Sequence, residues 1–154
     1  MYRFLAIALI LLAGPALGHP VGAQDTPDDT LTPGVVRTDL TDEQIRTTRW
    51  GLDRRAVTPA MKAEVFRRYH VTGDHDPSCG AERCEVDHRV PRSCGGADDV
   101  NNLWAQSSPS WHQKDRLEAL LARQVKSGAI TPAQCRAVFL GDWRAAYARY
   151  FGGP

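Results

Sequence analysis

The chain has 154 residues, with 19 Lys and Arg against 18 Asp and Glu, a length that suits one ordinary domain and gives no support for a second. The formal charge of +1 hides an asymmetry: residues 44–154 carry 17 basic and 12 acidic side chains, a net of +5, while the other six acids all lie between Asp25 and Glu43. Sixteen of the cations are Arg, whose guanidinium forks suit phosphate, but an excess of this size is common on solvated surfaces and by itself favours a polyanionic partner only weakly.

In chain order, Arg3 precedes an uninterrupted apolar run from Phe4 to Ala13, followed by Gly14-Pro15 and small residues at Ala16, Gly18, Gly22 and Ala23. This pattern predicts a secretory signal peptide over residues 1–23. The run is too short for the roughly 20 residues that span a bilayer, so no membrane anchor is expected after cleavage. Cleavage fits after Gly18 or after Ala23, the second preferred because Gln24 opens a polar segment. Residues 24–57 are expected to be an extended or partly disordered lead-in, rich in Asp, Thr, Pro and Gly with few large apolar groups to bury. The domain proper is expected over residues 58–154.

Thr58 can cap and Pro59 can open a helix over 59–70, with Met61, Val65, Phe66 and Tyr69 at helical spacing. A loop precedes a short strand, Glu85 to Val90, stopped by Pro91, and a second strand is expected from Leu103 to Gln106. Ser93-Cys94-Gly95-Gly96 supplies an abrupt turn between them. Ser110 with Gln113 makes a capping-box pattern for a helix whose core face is Trp111, Leu117, Leu120, Leu121 and Val125, closed by Gly128. Thr131, Pro132 and Gln134 start a final helix carrying Val138, Phe139, Trp143, Tyr147 and Tyr150. Trp104, Trp111 and Trp143 occupy apolar positions and read as core rather than as base-stacking platforms.

The four cysteines are Cys79, Cys84, Cys94 and Cys135. An even number in an exported chain suggests disulfides, with three connectivities open. Pairing Cys79 with Cys84 closes a small loop and leaves Cys94 with Cys135 to tie the glycine turn to the last helix. A four-cysteine zinc site is the competing and less favoured reading.

Asp87 and His88 are followed by Pro91, Gly95-Gly96, Asn102-Leu103, His112 and Lys114, which brings a carboxylate, two imidazoles and a tight turn into about 28 residues. Phosphodiester hydrolysis needs an activated water, a cation against the developing charge, and groups that hold the substrate in line. Asp87 suits a hard cation such as Mg²⁺, while an imidazole ligand at His112 widens the choice to Mn²⁺, Ni²⁺ or Zn²⁺. His88 is then the general base. Adjacent strand residues face opposite ways, so Asp87 and His88 share a site only where the strand twists, bulges or ends.

This spacing resembles the HNH endonucleases, whose ββα-metal fold sets two short strands and a helix around one divalent cation. The resemblance extends to secreted bacterial members through Pro33-Gly34, Glu85-Val86-Asp87-His88, Asn102-Leu103-Trp104-Ala105-Gln106, Lys114-Asp115-Arg116-Leu117-Glu118 and Asp142-Trp143 with Tyr147. It implies an α+β fold, a small helical domain around the ββα-metal motif, with Asp87 and His112 binding the metal and His88 activating water. It also implies that Asn102 ties the loop between the strands, with Arg92 and Lys114 as lower-ranked phosphate contacts. The expected function is a secreted or periplasmic, metal-dependent endonuclease acting on DNA, with RNA the other candidate, little sequence specificity and a monomeric default. A noncatalytic, disulfide-stabilised module of the same fold, binding nucleic acid or protein, is the alternative; its expected mark is loss of the base or a ligand, and both Asp87 and His88 are present.

Overall fold

The computed structural model describes residues 22–50 and 52–152. Along them run α1 (Asp42–Thr47), α2 (Pro59–Arg68), β1 (Glu85–His88), β2 (Leu103–Gln106), α3 (Ser110–Ser127), α4 (Pro132–Leu140) and α5 (Trp143–Phe151). The class is α+β, helices around a two-stranded antiparallel sheet. The sheet register is regular, from Glu85 opposite Gln106 to His88 opposite Leu103. The expected signal peptide lies, but for Gly22 and Ala23, outside the described residues, and among the described residues no helix is long and apolar enough to cross a membrane.

Several boundaries follow from local chemistry that the chain displays. The Thr58 hydroxyl accepts from the Met61 N–H at 3.2 Å, with Pro59 at the first turn of α2. Thr131 and Gln134 cap one another reciprocally at the start of α4. The single final helix that was expected is two helices, because α4 stops at Leu140 and the Asp142 carboxylate accepts from the Ala145 N–H at 2.9 Å to open α5. The Ser110–Gln113 capping box does not form. Ser110 is already inside α3, donating its hydroxyl to the Ser107 carbonyl (2.8 Å) and accepting from the Gln106 side-chain amide (3.0 Å).

The described part of the N-terminal segment contains extended backbone and is tied down at several points. A two-stranded sheet leaves an open edge on β2, and unpaired backbone groups demand partners. Gln24 supplies them: its N–H donates to the Ala105 carbonyl and its carbonyl accepts from Ser107 N–H, both at 3.0 Å. Gly22 and Ala23 are also bonded, to the Tyr69 carbonyl (2.7 Å) and the Ser78 hydroxyl (2.9 Å), contacts that cleavage after Gly18 would keep and cleavage after Ala23 would remove. Thr32 is buried and donates to the Leu103 carbonyl at 2.9 Å. Further on, a Thr41–Gln44 capping box starts α1, which buries Ile45. Backbone pairing and hydroxyls hold this stretch where apolar side chains are scarce.

Two cores flank the sheet. One gathers Val65, Tyr69, Val86, Leu103 and Trp104 from α2 and both strands; the other gathers Leu117, Leu121, Phe139 and Trp143 from α3, α4 and α5. Trp104 and Trp143 are fully buried, as core residues should be, while Trp111 is half-buried. Each core contains one disulfide, Cys79–Cys84 in the first and Cys94–Cys135 in the second. No cysteine is left for a zinc site. At the turn after Cys94, Gly95 has φ +91°, and a Cβ at Gly96 would lie 1.8 Å from the Val90 carbonyl oxygen, so neither position accepts a side chain.

The bridges differ in the loop that they close, with sequence separations of 41 for Cys94–Cys135 and 5 for Cys79–Cys84. Loop-closure entropy gives about 4 kcal/mol for the long loop and about 2 kcal/mol for the short one. Urea unfolding of a Cys94→Ala, Cys135→Ala double variant should therefore show the larger loss, and an equal or smaller loss than for Cys79→Ala, Cys84→Ala would contradict this assignment.

Candidate active site

β1 ends at His88 without a bulge, and the end of the strand is what lets neighbouring side chains meet. Asp87 and His88 line one pocket of about 190 Å³ together with Trp50, Arg55, Arg92 and Glu118. The His88 side chain is only 6% exposed, and its Nε2 lies 2.7 Å from Asp98 Oδ1. Asp98 is itself fixed by the Ala56 N–H, 2.7 Å from Oδ2, and by Arg92 Nε at 3.6 Å. An ionised carboxylate only accepts, so Nε2 carries the hydrogen and Nδ1 keeps its lone pair. Burial lowers the His88 pKa and outweighs the opposing pull of Asp87 and Asp98, leaving a neutral ring at neutral pH. For Asp98 burial acts upward, but the Ala56 N–H and His88 prevail and hold the carboxyl below its ordinary value.

Lys114 lies below this pocket at 1% exposure. Its ammonium donates to Asp87 Oδ2 (2.6 Å), to the His88 carbonyl (2.7 Å) and to Glu118 Oε1, so all three of its N–H bonds have acceptors. The Phe139 ring stands 5.3 Å away. Burial opposes the charge, yet Asp87 and Glu118 overcome it and the Lys114 pKa is raised. The two carboxylates diverge. Burial acts upward on Asp87, but Lys114 pulls it below its ordinary value, whereas burial and the Asp87 charge raise Glu118 in spite of Lys114.

The structure does not bring His112 to Asp87. Residues two apart on a helix are rotated by about 200°, so with Lys114 turned onto Asp87 the His112 ring faces outward, 62% exposed and 3.2 Å from Glu82. Glu118, four residues after Lys114, takes the inward place instead. Among the described residues no group of three or more His, Cys, Asp and Glu is arranged to hold a metal ion. The Asp87–His112 pair therefore does not fit a metal. Asp87 and Glu118 both line the pocket, and both carboxylates share the Lys114 ammonium.

Other expected residues have changed roles. Lys114 is buried in ion pairs and cannot be a surface phosphate contact. Arg92 lines the pocket, but its guanidinium is committed to Asp53 and to the Arg54 carbonyl (3.1 Å), and it lies over the Trp50 ring at 5.6 Å. Asn102 is a positioning residue: its amide donates to the Val90 and Ala97 carbonyls at 3.0 Å and its oxygen accepts from the Val90 N–H at 2.9 Å. Arg55, Asp98 and Glu118 were not among the expected site residues. Of these, Glu118 had a legible signal, its i,i+4 spacing from Lys114. No family model matches the chain, and no curated protein or solved structure matches it.

Removing one partner of a buried ion pair leaves an uncompensated charge, at a cost of about 3–5 kcal/mol. Lys114→Met is therefore expected to lower the urea-unfolding free energy by at least about 3 kcal/mol, whereas a surface lysine would change it by no more than about 0.5 kcal/mol. A variant as stable as the parent would show that Lys114 is not embedded in this way.

Proposed function

We propose that the chain is an exported, divalent-cation-dependent endonuclease that hydrolyses phosphodiester bonds of DNA, of the ββα-metal type that its motif resembles. The observation that carries this reading is His88 at the pocket wall, held by Asp98 through Nε2 at 2.7 Å, beside the carboxylates of Asp87 and Glu118. A general base needs a free lone pair, a fixed tautomer and a neutral resting state. His88 meets each condition through Nδ1, Asp98 and burial.

In this mechanism His88 Nδ1 takes a proton from water as the water oxygen attacks phosphorus, and Asp98 stabilises the resulting imidazolium. The phosphorus–oxygen bond opposite the attacking water breaks, and the departing oxygen takes a proton from solvent. Arg55 donates to the Val86 carbonyl at 2.7 Å and so presents its charge at the pocket from a fixed position. Asp87 and Glu118 would hold the Mg²⁺, which when bound neutralises charge on the phosphate and leaving oxygen. Export is supported by the signal-like N-terminus and by two disulfides, which belong to an oxidising compartment.

His88→Ala should reduce the rate of plasmid nicking by about 10²- to 10⁴-fold. Because the imidazole is buried and hydrogen-bonded, the same change should cost about 1 kcal/mol of stability, well short of unfolding the domain. Retained turnover would remove His88 from the mechanism. Since the folded pKa lies below the ordinary 6.5, cleavage should persist at pH 6.5 and fall as pH drops through the lowered value. By the same sign, the stabilisation tied to neutral His88 is complete above pH 6.5 and is lost over that lower window. A rate that halves at or above pH 6.5 on the acid side would contradict the buried-base reading.

A further inference from the structure

A second cavity adjoins the first. It is a groove of about 440 Å³ between α1 and the later turns of α3, with Ile45, Leu52, Ala122 and Val125 on its walls. Trp50 and Ser93 line both this groove and the His88 pocket, so the two lie side by side. Leu52 is 79% exposed at the groove, an unusual position for a large apolar side chain in a region with few of them. The rim is cationic. Arg49, Arg123 and Lys126 are exposed there, and none of them makes an ion pair among the described residues, while Arg46 is paired with Glu43.

An apolar slot with cations on its rim, set beside the His88 pocket, has the chemistry of a nucleotide: a flat apolar base joined to anionic links. A paired and stacked duplex offers no base face to such a slot, whereas an unpaired strand does. Resting on the nuclease reading, we infer that this groove is a subsite for an unpaired nucleobase of the strand being cut, with the flanking phosphates carried by Arg49, Arg123 and Lys126. The His88 pocket takes the scissile phosphate, and Trp50 forms the wall between the two. A single strand, or a locally opened duplex, is then the preferred substrate.

The test uses Ala122→Phe, which fills the groove, and Arg123→Glu, which reverses one rim charge. Both positions are away from the reacting atoms, and unchanged urea midpoints would verify that each variant folds. Binding of a short fluorescent single-stranded DNA is measured by anisotropy in EDTA, beside the duplex of the same sequence. Hydrolysis of bis(p-nitrophenyl) phosphate with Mg²⁺ reports the His88 pocket, whose lining neither variant changes. The parent should bind the single strand more tightly than the duplex, and each variant should weaken that binding about tenfold with small-diester hydrolysis unchanged. Arg123→Glu should also make the affinity less dependent on salt. Equal binding by parent and variants, duplex preference, or no DNA binding at all would overturn the inference, and the last would leave a protein partner or a second copy as the occupant. Loss of single-strand binding in the variants, with a parent that fails to hydrolyse the small diester, would uphold the groove and count against the catalytic reading.

Discussion

The buried ammonium of Lys114 is the constraint around which the rest is arranged. Taking a charge out of water costs several kcal/mol even after relaxation, and the fold answers with three acceptors: Asp87, Glu118 and the His88 carbonyl. Two of these belong to β1 and one to α3, so satisfying one side chain fixes the helix against the end of the strand. The sheet packs into one hydrophobic core and α3 into the other. The rotation of α3 that brings Lys114 to these acceptors also buries Leu117, Leu121 and Val125, so the polar cluster and the apolar face fix the same phase.

That rotation determines which side chains reach the pocket. It turns Glu118 inward and His112 outward, and it places Asp87 under an ammonium that keeps it ionised. His88 is held by a separate device. Its partner Asp98 comes from the loop after the Gly95-Gly96 turn, and that loop is in turn pinned by Asn102. The carboxylates are set by the ion cluster and the His88 ring by Asp98, and the two devices meet at the His88 carbonyl, which the Lys114 ammonium also holds.

Much of the fold was legible in the sequence because it depends on local signals. Thr58-Pro59, Thr131 with Gln134 and Gly128 mark helix ends by backbone hydrogen bonding, and the Leu103–Gln106 strand was readable in full. The spacing also anticipates that Asp87 and His88 share one pocket wall and that Asn102 ties the loop between the strands. The phase of α3 was largely readable from Leu117, Leu121 and Val125, and Lys114 shares their face; what periodicity does not show is that the Lys114 ammonium finds its acceptors on β1, a long-range contact. Lys114 itself resembled a surface cation. The segment holding Trp50 and Arg55 was equally opaque: it carries few apolar residues and is anchored by single contacts such as Arg92 with Asp53 and Ala56 with Asp98. Composition alone predicts looseness there, and only tertiary bonds override it.

The most direct test compares plasmid cleavage by the oxidised, mature parent with that by Glu118→Gln and His112→Ala over a range of Mg²⁺ concentrations and in EDTA. The account predicts Mg²⁺-dependent nicking by the parent, the same activation curve for His112→Ala, and a loss or strong weakening of Mg²⁺ activation for Glu118→Gln. The reverse pattern, with His112 required and Glu118 dispensable, or a parent that leaves the plasmid intact in Mg²⁺, would contradict it.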